Sequence, residues 1–404
     1  MLHHPRSFFP LDLSRQVGDH ADLIWVVDEA CAGDLTTRLA QRLGTVVDIV
    51  GLDADRAARR LADHGVEGVV SFVDDHIELA AALAERLDLR YHTPEVAARV
   101  VDKWLQREAF ERAGIAGPAM WAVPAGLTWP EARDVADRVN YPAVLKTEHG
   151  SGSVDMHLLQ SSDELLAVLS ANWGVTDYVV EEYVPDDLPW DNWYANYFSI
   201  ESVISGGRVS HVAITGRFPL AAPFRETGNI VPGILDQELH GPVFAMVDAA
   251  IAALGVTDSI IHTEIKLSAD GPKLIEVNGR LGGRPPFVLG AVSNVNLFQV
   301  ACDIALGSPV AFDGLADCDG VGFWFMVQPP MAARRVARVQ GLERLSGLPG
   351  VDIVSVNRTP GEPVDWREGT ASHVVAVRGR ADDYDALEKT IKCVRERLRI
   401  DYEA

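Results

Sequence analysis

Apolar and polar positions along the chain alternate between two rhythms. Residues 22–28 are an apolar run bounded by acids and read as a buried parallel strand. Helical spacing follows through Leu35, Leu39 and Leu43, then a second apolar run at 45–50. Residues 53–64 read as a helix, 68–73 as a strand and 77–87 as an Ala/Leu-rich helix. Strand and helix alternating over short loops predict a parallel sheet covered on both faces. No Gly-x-Gly-x-x-Gly follows the first strand, so the pattern is a Rossmann-like lobe without a dinucleotide fingerprint.

Further along, residues 94–113 carry one or two helices, broken by Gly114-Ile-Ala-Gly-Pro118. A short strand at 141–146 ends on Lys146, a small-residue loop runs 147–153, and extended structure resumes at 156–159. A helix at 162–170 leads to an apolar strand at 178–184, interrupted by Glu181 and Glu182. Strands are expected at 193–204 and 209–215 around a Gly206-Gly207 turn, then irregular chain at 217–231 and a helix at 239–254. From residue 315 the pattern changes to short strands at 322–327, 351–356 and 373–378, closed by a helix at 381–398. The expected organisation is α/β and α+β in four segments: 1–95, 96–184, 185–312 and a small α+β lobe at 313–404.

Two alternating runs, 260–266 and 273–280, flank Ala269-Asp270-Gly271. They predict a hairpin, with Gly271 in the left-handed position that closes a three-residue loop. Lys266 then faces Leu274, Glu264 faces Glu276 and His262 faces Asn278. Side chains alternate across a strand, so His262, Glu264, Glu276 and Asn278 share one face, while Ile261, Ile265, Ile275 and Val277 form the core face. Opposed carboxylates are destabilising unless their charge is offset, which points to a divalent cation.

Composition narrows the function classes. The 404 residues are 48% hydrophobic with net charge −22, and the pI is about 4.9, which argues against a general nucleic-acid or anionic-membrane surface. Four scattered cysteines without metal spacing suit a reducing compartment. With no apolar run near the ~20 residues that span a bilayer, the expectation is a cytoplasmic protein; a homodimer is compatible with the composition.

The string Glu276-Val-Asn-Gly-Arg-Leu-Gly-Gly283 resembles the metal-binding signature of the ATP-grasp superfamily, over about residues 96–309. Glu264, the lysine after Tyr-Pro-x-Val-x, the Gly/Ser loop and the acid–acid hinge follow in that family's order. The resemblance implies ATP and Mg2+ as cofactors, with Mn2+ as a substitute, and a two-lobed nucleotide clamp. It assigns Glu264, Glu276 and Asn278 to the metal, a ligand set that suits magnesium. Lys103 and Lys146 then meet phosphate as point charges, and Ser151, Gly152 and Ser153 offer backbone amides to it. Glu181, Glu182, Tyr183 and Val184 resemble the adenine hinge, and Asp187 is the candidate for ribose.

Glu276 and Arg280 are the catalytic candidates, a guanidinium there being suited to the transferring phosphoryl group. Glu201, His262 and Arg284 are substrate candidates, and Arg217 and Arg225 weaker anion candidates. The layout most resembles the branch that joins amino acids, with small carboxylate and amine substrates and an acyl-phosphate intermediate. Residues 185–210 are expected to close over it as a lid. A bicarbonate-dependent carboxylase and an inactive nucleotide-binding module are the alternatives.

Overall fold

The computed structural model describes residues 1–31, 33–185 and 193–404. Its centre is an eight-stranded sheet in the order Gly271–Asn278, Ser259–Ser268, Tyr197–Ser205, Arg208–Arg217, Gly228–Val231, Val321–Val327, Val375–Ala381, Val351–Val356. Three strands of the C-terminal segment therefore extend the central sheet, while Arg335–Gln340 and Arg399–Glu403 pair antiparallel in a small sheet of their own. They also build a separate core, where Phe323, Phe325 and Val377 pack with Leu387 and Ile391 of the helix Tyr384–Arg397. A second, four-stranded sheet runs Met120–Val123, Tyr178–Glu182, Ala143–Thr147, His157–Leu159, and it packs on the helices Trp129–Ala136 and Ser162–Ala171.

Alternation explains how the central sheet can be both core and site. Ile200, Ile204, Ile261, Ile265, Leu274 and Val277 face the helices Pro94–Val101, Lys103–Arg112 and Gln237–Leu254. On the opposite face Val203, Ala213 and Ile260 are covered by the helices Pro285–Val292 and Leu297–Ala305. Two residues along each strand, that face turns polar at Glu201, Thr215 and His262.

Several expectations need correction. The stretch 68–73 is not a regular strand. Ile24–Val27 pairs in parallel with Thr45–Asp48, and on its other edge lies the start of the chain, where Leu2 bridges Val26 and donates to the Val70 carbonyl at 3.0 Å. Residues 217–231 are not wholly irregular, since Gly228–Val231 is a fully buried strand too short to show a period. The lid expected at 185–210 fails for its second half: Tyr197–Ser205 lies between two strands, buried except at its ends.

The hairpin differs in an instructive way. Ser268 pairs with Gly271 and Lys266 with Lys273, so the turn has two residues, not three. Glu264 still faces Glu276 and His262 still faces Asn278, because a bulge at Ile275 restores the missing residue. A bulge re-aims the side chain it inserts. Ile275 leaves the core face and lines a cleft, while Leu274 takes the core position with no exposure. Among the described residues no single helix is long and apolar enough to cross a membrane.

This register predicts a contrast between neighbours. Leu274→Ala should lose about 2–5 kcal/mol in urea denaturation, as a buried leucine does. Ile275→Ala should lose under ~1 kcal/mol. Equal losses would place both residues in the core and reject the bulge.

Candidate functional site

A cleft of about 550 Å³ opens between the two sheets, a size that suits a small ligand. One wall is the four-stranded sheet. Lys146, near the end of Ala143–Thr147, is 4% exposed, and its Nζ lies 2.8 Å from Glu181 Oε2 on the neighbouring strand. The other oxygen of Glu181 is buried and accepts no hydrogen bond. Lys103 opens the helix Lys103–Arg112 just after Asp102, whose side chain caps that helix by accepting from the Leu105 amide. It is 6% exposed and donates to the Gly150 carbonyl at 2.6 Å, with Glu276 Oε1 at 3.4 Å. Lysines are rarely so buried without a partner, and here two of them point into one cleft.

The opposite wall is the hairpin. Glu264 accepts from the Tyr197 hydroxyl and lies 3.3 Å from Arg217 Nη2. Arg217 is 1% exposed, places Nε 2.6 Å from Glu226 Oε1 and stacks 4.3 Å from the Tyr197 ring centroid. Burial alone would lower the Arg217 pKa, but Glu226, Tyr197 and Glu264 raise it above the ordinary value. His262 Nδ1 is 2.9 Å from both Glu201 oxygens, and its Nε2 is 3.3 Å from Glu264. Burial opposes protonation of His262, yet the two carboxylates prevail and raise its pKa to about 9. Burial would raise Glu201 and Glu264, whereas His262 and, at Glu264, Arg217 hold them below the carboxylate range.

Arg280 donates to Asp74 through Nε and Nη2, and Nη2 also reaches Asn278 Oδ1 at 3.2 Å. Arg284 Nη1 lies 3.6 Å from Glu226 Oε2. Lys266, on the same strand face as Glu264, donates to the Val184 carbonyl at 2.6 Å and sits 5.2 Å from the Tyr183 ring centroid.

The structure thus brings Lys103, Lys146, Ser151, Gly152, Ser153, Glu181, Glu182, Tyr183, Val184, His262, Glu264, Glu276, Asn278, Arg280 and Arg284 to one cleft. Asp187 lies outside the described residues. Glu201 is corrected: it is fully buried and accepts from His262, Ser199 and Thr215, so it reaches the cleft only through His262. Arg217 lies inside the sheet, and Arg225 is turned toward Ser372. Sequence reasoning missed Asp74, Tyr197, Glu226 and Lys266. The two-residue rule that grouped His262 with Glu264 would also have found Lys266.

Among the described residues no three His, Cys, Asp or Glu side chains converge at metal-ligand spacing. Two carboxylates and an amide oxygen on one hairpin face are an incomplete oxygen set. That fits magnesium, which commonly completes its shell with phosphate and water.

No family model matches the chain. It is 26% identical over 238 residues to alanine–anticapsin ligase of Bacillus subtilis, covering 54% of this chain and 49% of that protein. It is 26% identical to carnosine synthase 1 of Gallus gallus over 63% of this chain and 29% of that one. The chain therefore spans about half the length, or less, of these curated relatives. Its fold matches the L-amino acid ligase from Bacillus licheniformis with a TM-score of 0.77 at 19% identity, over 98% and 96% of the two chains. N5-carboxyaminoimidazole ribonucleotide synthetase from Thermus thermophilus matches at 0.69 and 18%, over 96% of each.

A half-buried histidine just past the cleft-lining Thr370 and Ala371 predicts a pH effect. Burial, with Arg284 and Arg358 nearby, pushes His373 down to about 4, while its Nδ1–H donates to the Thr370 carbonyl. Unfolded His373 takes a proton near pH 6.5 and the folded form does not. The stability linked to the neutral ring is complete above 6.5 and lost as pH falls to about 4, roughly 3 kcal/mol in all. His373→Gln should flatten that part of the stability–pH curve; an unchanged slope would reject the assignment.

Proposed function

We propose that this chain, an ATP-grasp protein by fold, is an ADP-forming carboxylate–amine ligase acting on amino acids or related small carboxylates. The observation that carries the reading is the meeting of Lys103, Lys146 and Arg280 with Glu264, Glu276 and Asn278 in one cleft. Phosphoryl transfer needs cations on the phosphate oxygens, a metal-binding acid set and firm positioning. In this reading the adenine lies between Val144, Met156 and Ile275, all cleft-lining. Glu181 Oε1, which accepts no hydrogen bond and has Arg107 Nη2 at 3.8 Å, and the backbone at Tyr183 and Val184 meet its edge.

Glu264, Glu276 and Asn278 would hold magnesium, which offsets triphosphate charge when bound. Lys103 and Lys146 hold phosphate oxygens, and the 150–153 amides cover them. The substrate carboxylate attacks the γ-phosphorus in line, giving an acyl-phosphate and ADP. An amine then attacks the carbonyl carbon and phosphate leaves, with Arg280 holding the phosphoryl oxygens.

The Arg284–Glu226 pair favours amino acids over bicarbonate as the activated substrate. A zwitterion gives Arg284 a carboxylate and Glu226 an ammonium, whereas bicarbonate leaves Glu226 without a ligand partner.

Incubation with ATP, magnesium and an amino-acid panel should release phosphate together with an amide product. ADP formation that requires bicarbonate and no amino acid would replace the reading with a carboxylase. Glu276→Gln should reduce turnover more than tenfold, over ~1.4 kcal/mol of transition-state stabilisation, with an unchanged thermal melt. A smaller loss would reject its metal role.

A further inference from the structure

The loop at 150–155 is not held by its own sheet alone. Gly152, Ser153 and Asp155 have φ of 72°, 59° and 48°. For serine and aspartate this left-handed conformation persists only when surrounding contacts enforce it. Those contacts come from the distant short helical segment Trp366–Ser372. The Thr370 amide donates to the Gly152 carbonyl at 2.8 Å, and the Asp155 amide donates to the Arg367 carbonyl at 2.9 Å. His157, just past the loop, packs edge-on against Trp366 with ring centroids 5.3 Å apart.

The same segment grips the stretch that carries Glu226. The Glu226 amide donates to Thr370 Oγ1 at 3.2 Å and Arg225 to Ser372 Oγ at 3.4 Å. Gln328 Nε2 donates to the carbonyls of both Glu226 and Thr370, at 2.8 and 3.1 Å. Ser153 Oγ closes the triangle by donating to the Phe224 carbonyl at 3.0 Å. Gly369 sits at its centre with φ 66°. A Cβ there would lie 2.7 Å from the Ser153 carbonyl carbon and closer still to the Gly152 oxygen.

We propose that residues 366–372 are a positioning strap that registers the 150–155 loop against the Glu226 stretch. Phosphates under the loop and a carboxylate beside Glu226 are then held in line, and Gly369 is the residue whose missing side chain permits the contact. The inference rests on the ligase reading for what is aligned, and it adds the C-terminal segment to the working site. Alignment is worth this much structure because a displacement of about 1 Å can cost ~10²-fold in rate.

The test uses the full chain, amide hydrogen exchange and steady-state kinetics. Gly369→Ala should speed exchange across 150–156 by roughly tenfold or more, as a lost tether does, and leave Ser259–Ser268 unchanged. Its KM for ATP should rise and its ratio of amide formed to phosphate released should fall, because a misaligned acyl-phosphate is lost to water. Gln328→Ala should keep the loop's exchange, raise the KM for the carboxylate substrate and, because the acyl-phosphate is then misplaced, lower the same ratio. Unchanged loop exchange in Gly369→Ala, or faster exchange with the wild-type KM and ratio, overturns the strap. Should Gly369→Ala fail to fold, an unchanged ratio in Gln328→Ala overturns it. A wild-type chain without turnover sinks the ligase reading alone, and exchange in Gly369→Ala then decides the strap.

Discussion

Two carboxylates, Glu264 and Glu276, face each other on the central hairpin, and the surrounding site supplies cationic partners to each. Like charges directly opposed across strands repel. The chain relieves this by giving each acid a different set of cations from different elements. Glu264 leans on Arg217 and His262, rooted in the sheet, while Glu276 is met by Lys103 from the first turn of a helix. Arg217 in turn depends on Glu226, and Glu226 on Arg284. Removing one member would leave a buried charge uncompensated, which costs far more than the intact pair contributes.

This chain of charges occupies one end of a sheet face whose other end is ordinary core. Along Ser259–Ser268 the face runs Ile260, His262, Glu264, Lys266; along Tyr197–Ser205 it runs Val203, Glu201, Ser199, Tyr197. Polarity rises step by step toward the cleft. The deepest acid, Glu201, is wholly buried, yet two hydroxyls and His262 satisfy it. It therefore works at one remove, holding His262 so that the histidine can hold Glu264. Such an arrangement is fixed by packing on the apolar side and so needs little reorganisation when a charged ligand arrives.

Much of the hairpin was legible because side-chain parity survives local error. The two-residue turn and the bulge at Ile275 each break the expected pairing, and together they restore Glu264 opposite Glu276. Nothing local marks the bulge, since an isoleucine among apolar residues reads as core. Lys103 and Lys146 were legible as residues but not in their burial, which depends on Glu276 and Glu181 arriving from other strands. Glu201 was legible as an acid on a strand, whereas its depth follows from neighbours on both sides of the sheet. Asp74, Glu226 and the strap at 366–372 carry no periodic signal; their contacts are long-range, and several run through backbone atoms.

The cleft has no owner segment. The N-terminal lobe supplies Asp74 to Arg280, the four-stranded sheet supplies Lys146 and Glu181, the hairpin its two glutamates, and the C-terminal segment Thr370. Each charged group among these, taken alone, would be exposed or unpaired, and only the assembled fold offsets it. A site distributed in this way cannot persist in a partly folded chain, because losing one segment returns unbalanced charge to the others. The end of the cleft at Lys103, Lys146 and Glu276 rests on the two sheets and one helix, whereas the wall at Glu226, Arg284 and Thr370 is set by connecting segments. Under the proposed ligase reading, substrate choice can change at that wall while Lys103, Lys146 and the hairpin stay as they are.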